Sequence, residues 1–154
     1  MQWLEGNAWW GLLATIVLFV LFGLTDVASG AAADPAIPLG LTGMTLAELE
    51  AEGPTVFQLY DFYTRINGWS FLLAGLLMLA ILLFAFRRNK RWAWWTMWLL
   101  PIWAASILVF YLVVGVQPDQ APPPPMVSGP ILAVFCAAIL LVSAPRFFRA
   151  EAGD

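Results

Sequence analysis

An unbroken run of 19 uncharged residues, at positions 68–86, constrains this chain more than any other feature. A helix over this run is about 29 Å long at 1.5 Å per residue, which matches the hydrocarbon core of a bilayer. The run follows a mixed polar and apolar segment and ends at the basic sequence RRNKR, residues 87–91. We therefore predict one long helix over residues 55–91 that crosses a membrane and ends at a basic turn.

Three further segments are long and apolar enough for the same role, residues 8–25, 92–116 and 126–145. With 62% hydrophobic and 11% charged residues, the chain is too apolar for an ordinary water-soluble domain. Backbone N–H and C=O groups inside a bilayer must be satisfied within each segment, which favours helices. The sequence thus predicts an all-α fold, with residues 1–154 forming one domain around a bundle of four transmembrane helices.

The basic residues are concentrated at two predicted membrane edges. Six of the seven Lys and Arg residues lie there: Arg87, Arg88, Lys90, Arg91, Arg146 and Arg149. The predicted outer loop, residues 26–64, contains six acids and no Lys or Arg. By the positive-inside rule, both termini and the RRNKR turn are cytoplasmic. The position of this cluster against the bilayer indicates anionic lipid as a partner and argues against nucleic acid.

The outer loop contains a short helical pattern over residues 46–52. Thr45 and Glu48 have the spacing of a capping box, and Leu46 and Leu49 give the pattern one apolar face. We expect this amphipathic helix to lie across the outer face of the bundle with its glutamates in solvent. The preceding sequence DPAIPLGLTGM is a run of turn-forming residues.

Capping and proline signals predict where the longer helices begin, bend and end. Thr55 and Gln58 fit a second capping box, at the start of the long helix. Pro101 removes one backbone hydrogen bond, so we expect a kink near residues 97–101. Pro130 suits the first turn of the fourth spanning helix, and Pro145 is expected to end it.

The fourth segment places small residues at four-residue spacing: Gly129, Ala133 and Ala137. Such a stripe lets another helix approach closely. The partner is either a helix of the same chain or a helix of another membrane protein subunit.

The sequence contains no histidine, and Cys136 is the single cysteine. The commonest ligands of haem and zinc and the usual general base near neutral pH are therefore missing. We expect no metal site, no cofactor and no enzymatic activity.

Polar residues of both signs gather at the predicted outer boundary of the first two spans. They are Asp26, Asp61, Arg65 and Asn67. Arg65 is expected to pair with both acids beneath the outer loop. One interpretation is an ion pair that fixes helix ends, and the other is a small ligand-binding pocket.

Two short blocks, LTGMTLAEL in the outer loop and RRNKRWAWW at the basic turn, resemble segments of small uncharacterised four-helix integral membrane proteins of bacteria. The resemblance implies the four-span topology and brings no activity, cofactor or site residue.

Because the predicted spans contain no charge, the leading hypothesis is a non-catalytic accessory or scaffold component of a membrane complex. The alternative is a small protein that binds or transports a lipid or hydrophobic molecule, with a site under the outer loop. An enzyme acting on lipid through Asp26 or Asp61 ranks last.

Overall fold

The computed structural model describes residues 6–117 and 119–148, and Arg149 lies outside this range. All regular structure in the described residues is helical. The α-helices are α1 (Trp9–Ser29), α2 (Ala36–Thr42), α3 (Leu46–Glu52), α4 (Pro54–Phe84), α5 (Arg91–Met97), α6 (Leu99–Val114) and α7 (Pro124–Phe148). Short 3-10 turns follow α1 at Gly30–Ala33 and α4 at Phe86–Arg88. Four helical segments, with α5 and α6 counted as one, are long and apolar enough to cross a membrane, which confirms the predicted all-α architecture.

The helices pack as two pairs, α1 along α4 and α6 along α7. Glycines allow the first pair to approach closely. A Cβ atom on Gly23 would lie 2.6 Å from the backbone nitrogen of Leu72 and 2.7 Å from the carbonyl oxygen of Gly68. A Cβ atom on Gly75 would lie 2.7 Å from Cγ2 of Val20. Backbone atoms of α1 and α4 are therefore in direct contact, which side chains at these positions would prevent.

The two pairs join in a core at the end of the bundle that carries the basic turn. Its buried members are Leu12, Ile16, Leu82, Ala85, Phe86, Ala93, Trp94, Met97, Leu100, Cys136, Leu140 and Phe147. The indole N–H of Trp94 donates to the carbonyl oxygen of Leu140 at 2.9 Å, so this buried polar group is satisfied. Further toward the other end, the ring of Trp103 on α6 contacts Phe19 and Phe71 at centroid distances of 4.6 and 5.3 Å.

The α5–α6 span breaks at Trp98, between Met97 and Leu99. This interruption lies within residues 97–101, where the kink was predicted. Pro101 has no N–H to donate one turn back, and its ring crowds the carbonyl at that position.

The predicted start of α4 and both predicted ends of α7 are wrong. α4 begins at Pro54 with Gly53 as its N-cap, and no side chain caps it, so the Thr55–Gln58 capping box does not form. Proline is well suited to a first helical position because its missing N–H has no intrahelical partner there. In α7, the first turn holds Pro124, while Pro130 and Pro145 are both interior and the helix continues to Phe148.

The short outer helix α3 forms over the predicted residues. Thr45 and Glu48 make the reciprocal capping box, with the Glu48 carboxylate accepting from the Thr45 N–H at 2.8 Å. These bonds lower the pKa of the Glu48 carboxyl. Leu46 and Leu49 are half-buried against α4, whereas Glu48, Glu50 and Glu52 are exposed.

Helix α2 was not predicted, and the interpretation of its sequence as a run of turns is wrong. The Asp34 carboxylate accepts from the N–H of Ala36 at 3.2 Å, and Pro38 occupies the first turn without loss of a bond. Gly40 then contacts the loop between α6 and α7, where its carbonyl oxygen accepts a hydrogen bond from the N–H of Gln117 at 2.9 Å. Tertiary contact therefore supports a helix that is too short to be stable alone.

The small-residue stripe of α7 faces α6 of the same chain. Gly129 and Ala133 are buried, and Ala137 is half-buried. A Cβ atom on Gly129 would lie 2.8 Å from the carbonyl oxygen of Ala104. The stripe therefore packs on a helix of the same chain, α6, which is the first of the two predicted partners.

Candidate functional site

Arg65 is the central residue of the outer boundary, and it lies beside the C-terminal end of α1. Its Nε atom donates to Oδ2 of Asp61, one helical turn earlier on α4, at 2.8 Å. The predicted i,i+4 pair is therefore present, and both side chains are partly exposed, by 42% for Arg65 and 30% for Asp61.

A second donor group of Arg65 binds the end of α1, while its Nη2 atom donates to Oδ1 of Asp61 at 3.5 Å. Its Nη1 atom donates to the carbonyl oxygens of Val27 at 2.7 Å and Ala28 at 3.0 Å. The last carbonyls of a helix lack intrahelical donors, and a cation there also complements the helix dipole. Arg65 thus caps α1 from a neighbouring helix.

Asp61 completes this arrangement from the other side. Its Oδ1 atom accepts from the N–H of Ala31 at 2.9 Å, in the 3-10 turn that follows α1. Gly30 lies between them with φ +57, and a Cβ atom there would overlap the Asp61 carboxylate. Only glycine suits this position, both for its backbone angle and for the close approach of the ion pair. The sequence analysis did not single out Gly30, because its role depends on contacts across 30 residues.

Asp26 does not join the ion pair, so the prediction that Arg65 serves both acids is wrong. The Cβ atom of Asp26 faces Gly68, and the only ion pair within residues 6–117 and 119–148 joins Arg65 to Asp61. Arg65 was predicted to donate to Asp26, but it donates to the carbonyl oxygens of α1 instead. Asn67 is exposed on α4, and its side chain makes no hydrogen bond to another described residue.

A second group of polar side chains lies beside Asp26, around Asp34. The Asp34 carboxylate is close enough to act electrostatically on Asp26, on Tyr60 of α4 and on Tyr111 of α6. All four side chains are half-buried. Burial raises the pKa of Asp34, and the hydrogen bond from the Ala36 N–H partly opposes this. The sequence alone did not reveal this acid–tyrosine cluster, because its members come from four separate segments.

The part of the chain that the structure describes contains no group of three or more Cys, Asp or Glu side chains placed to hold a metal ion.

The opposite end of the bundle carries basic and aromatic side chains in contact. The guanidinium carbon of Arg87 lies 4.4 Å from the centre of the Trp9 ring, a cation–π distance. Nε of Arg91 donates to the carbonyl oxygen of Phe147 at 3.2 Å. A shallow groove of about 470 Å³ runs beside this turn, lined by Leu83, Phe84, Arg87 and Arg88.

The N-terminal part of α4 extends beyond the end of α1. Because Arg65 is level with Val27 and Ala28, residues 54–64 project about 16 Å farther at 1.5 Å per residue. This projecting segment exposes large apolar side chains, each by more than half: Val56 61%, Leu59 54%, Phe62 56% and Tyr63 61%.

Comparison of the chain with family models, with curated proteins and with solved structures finds no match, so the resemblance to bacterial four-helix membrane proteins rests on its two short sequence blocks alone.

Proposed function

We propose that this chain is a multi-pass protein of a bacterial inner membrane and an accessory or scaffold component of a membrane complex. Four helices of spanning length support membrane insertion. The basic turn at Arg87 and Arg88 and the acidic outer helix α3 support cytoplasmic termini by the positive-inside rule.

The main evidence for a binding role is the exposed apolar surface of the projecting segment, residues 54–64. Apolar side chains within a span are covered by lipid tails, but this segment precedes the predicted span, residues 68–86, and is expected to lie above it. An exposed contiguous apolar patch outside the hydrocarbon core is typical of a protein interaction site. We infer that another polypeptide covers Val56, Leu59, Phe62 and Tyr63.

The hydrogen bonds that Arg65 and Asp61 make support a structural role for these two predicted site residues. Arg65 and Asp61 make five hydrogen bonds with each other and with α1 and the turn that follows it. Their polar atoms are thus committed to holding α1 against α4, and this favours the ion-pair interpretation over a ligand site.

One observation favours the alternative function, binding or transport of a lipid or hydrophobic molecule under the outer loop. The half-buried acid–tyrosine cluster around Asp34 lies toward the outer ends of the two helix pairs, with Phe19 and Trp103 in aromatic contact deeper between them. A polar rim above an aromatic floor is suited to an amphipathic ligand. Retention of a lipid by the purified protein, and its loss in Tyr111→Ala but not in the exposed Val113→Ala, would favour this alternative.

We also propose anionic lipid as a partner at the cytoplasmic face. The groove beside the basic turn combines two guanidinium groups with apolar side chains of Leu83 and Phe84, which suits a phosphate headgroup and its acyl chain. In vesicles containing phosphatidylglycerol, Arg87→Gln with Arg88→Gln should lose lipid-dependent thermal stabilisation that the native protein shows.

A photoreactive amino acid at Leu59 tests the scaffold proposal. Leu59 lies in the apolar surface, and the adjacent Gln58 is exposed on another face, so the same group at Gln58 is a matched control. Irradiation of intact membranes should link a polypeptide at Leu59 and not at Gln58. Absence of any polypeptide product at Leu59, in membranes where the protein is folded, would refute the proposal.

A further inference from the structure

The exposed face of α4 follows a heptad spacing with alternating steps of three and four residues. The stripe consists of Val56, Leu59, Tyr63, Ile66, Ser70, Leu73, Leu77, Ala80 and Phe84. It covers four heptads and about 42 Å of helix at 1.5 Å per residue. Apolar heptads sustained over this length are the pattern of a coiled coil.

Every member of this stripe is exposed except Ala80, which is half-buried. The opposite face of α4 is occupied within the chain, because Gly68, Gly75 and Leu82 are buried. The stripe is therefore the unpartnered side of a helix whose other side already packs on α1.

The spacing is most informative in the projecting segment, where polar residues interrupt the apolar ones. Thr55, Gln58, Asp61 and Thr64 all fall outside the stripe. Lipid tails are expected to cover the stripe within the predicted span, residues 68–86, and the projecting segment is expected to lie above them. An occupant that covers the whole stripe must continue out of the bilayer as a helix.

We infer that this occupant is α4 of a second copy of the chain, which forms a parallel two-fold dimer. This inference rests on the scaffold proposal and names the partner at the same surface. Copies in one membrane share an orientation, so their α4 helices are parallel and equivalent residues face each other across a two-fold axis.

The charge pattern supports self-association. In a two-fold interface each flanking residue approaches a residue from the same part of the other copy, so charges of one sign would repel. The flanking positions carry none: they are Thr55, Tyr60, Phe62, Asn67, Trp69, Ala74, Leu76, Ile81 and Leu83. Ser70 and Ala80 are small, which allows the close backbone approach that helix pairs in membranes require. Ser70 also satisfies its hydroxyl within α4, by donating to the carbonyl oxygen of Ile66 at 3.0 Å.

The test uses two differently tagged copies of the full chain, each with Cys136→Ser, expressed together. Single cysteines at Leu59 and Tyr63 should form disulfides between the tags in oxidised membranes, and a single cysteine at Gln58 should not. Leu59→Glu should weaken dimerisation by about tenfold or more, equivalent to about 1.4 kcal/mol, whereas Gln58→Glu should leave it unchanged. Unfolding temperatures near the native value in both Glu variants would show that they remain folded.

The outcomes separate this inference from the scaffold proposal. Equal cross-linking on and off the stripe, or a Leu59→Glu dimer as stable as the Gln58→Glu dimer, would overturn the two-fold dimer. If the photoreactive group at Leu59 then captured only a different polypeptide, the scaffold proposal would stand and its partner would not be a second copy. If that group captured no polypeptide, both would be wrong.

Discussion

Replacement of Arg65 by alanine tests how the outer ends of α1 and α4 are held together. The side chain donates to the Asp61 carboxylate and to two carbonyls of α1, at 2.7 to 3.0 Å. A hydrogen bond to a charged group contributes about 1.5–3 kcal/mol, whereas an exposed ion pair contributes about 0–1 kcal/mol. Arg65 is 42% exposed, and water can replace part of what is lost. We therefore expect Arg65→Ala to lower the free energy of unfolding by about 2 kcal/mol.

The measurement is unfolding in a mild detergent, followed by tryptophan fluorescence. Arg88→Ala is the matched control, because Arg88 is an exposed arginine at the opposite end of the bundle. Arg65→Ala and Asp61→Ala should be non-additive, since they remove one network. The coupling between Arg65→Ala and Asp26→Ala should be smaller, because Asp26 accepts no hydrogen bond from Arg65. A loss for Arg65→Ala no greater than for Arg88→Ala would refute the capping role.

Three further predictions test the outer loop, the helix interface and the topology. Burial raises the folded-state pKa of Asp34 above 3.8, so ionisation of this carboxyl destabilises the folded protein. Asp34→Asn should therefore raise the unfolding temperature at pH 7. The difference between the two proteins should disappear as the pH falls below 3.8, because Asp34 is then protonated in both the folded and the unfolded chain. Gly68→Ala should lower the free energy of unfolding by about 1–3 kcal/mol, because its Cβ atom would lie 2.8 Å from the Val27 nitrogen. Gly6→Ala, whose Cβ atom would have no heavy atom within 4 Å, should be nearly neutral in the same unfolding assay. Single cysteines at Glu50 and Asn89, without the native cysteine, should react with an impermeant reagent from opposite sides of the membrane. Labelling of both from outside would overturn the predicted topology.

Several features that depend only on neighbouring residues in the chain were predicted correctly from the sequence, although the Thr55–Gln58 capping box was not. The four long helices follow from uninterrupted apolar runs, since backbone groups there must bond within the segment. The α3 capping box needs only Thr45 and Glu48, three residues apart, and the break at Trp98 needs only the missing N–H of Pro101. The pairing of Asp61 with Arg65 is also local, because residues four apart lie on one helix face.

Features that depend on distant residues were decided by the tertiary structure. α2 forms where turns were expected because Gln117 and Pro123 pack on Gly40. The local sequence around Gly40 cannot indicate this contact, because Gln117 and Pro123 lie in a loop far along the chain. Arg65 binds the carbonyls of α1 and not Asp26, since the close approach of Gly68 to α1 sets which atoms of the two helices are level. Sequence spacing places side chains on a face of one helix, but the depth and rotation at which two helices meet follow from the packing of both surfaces.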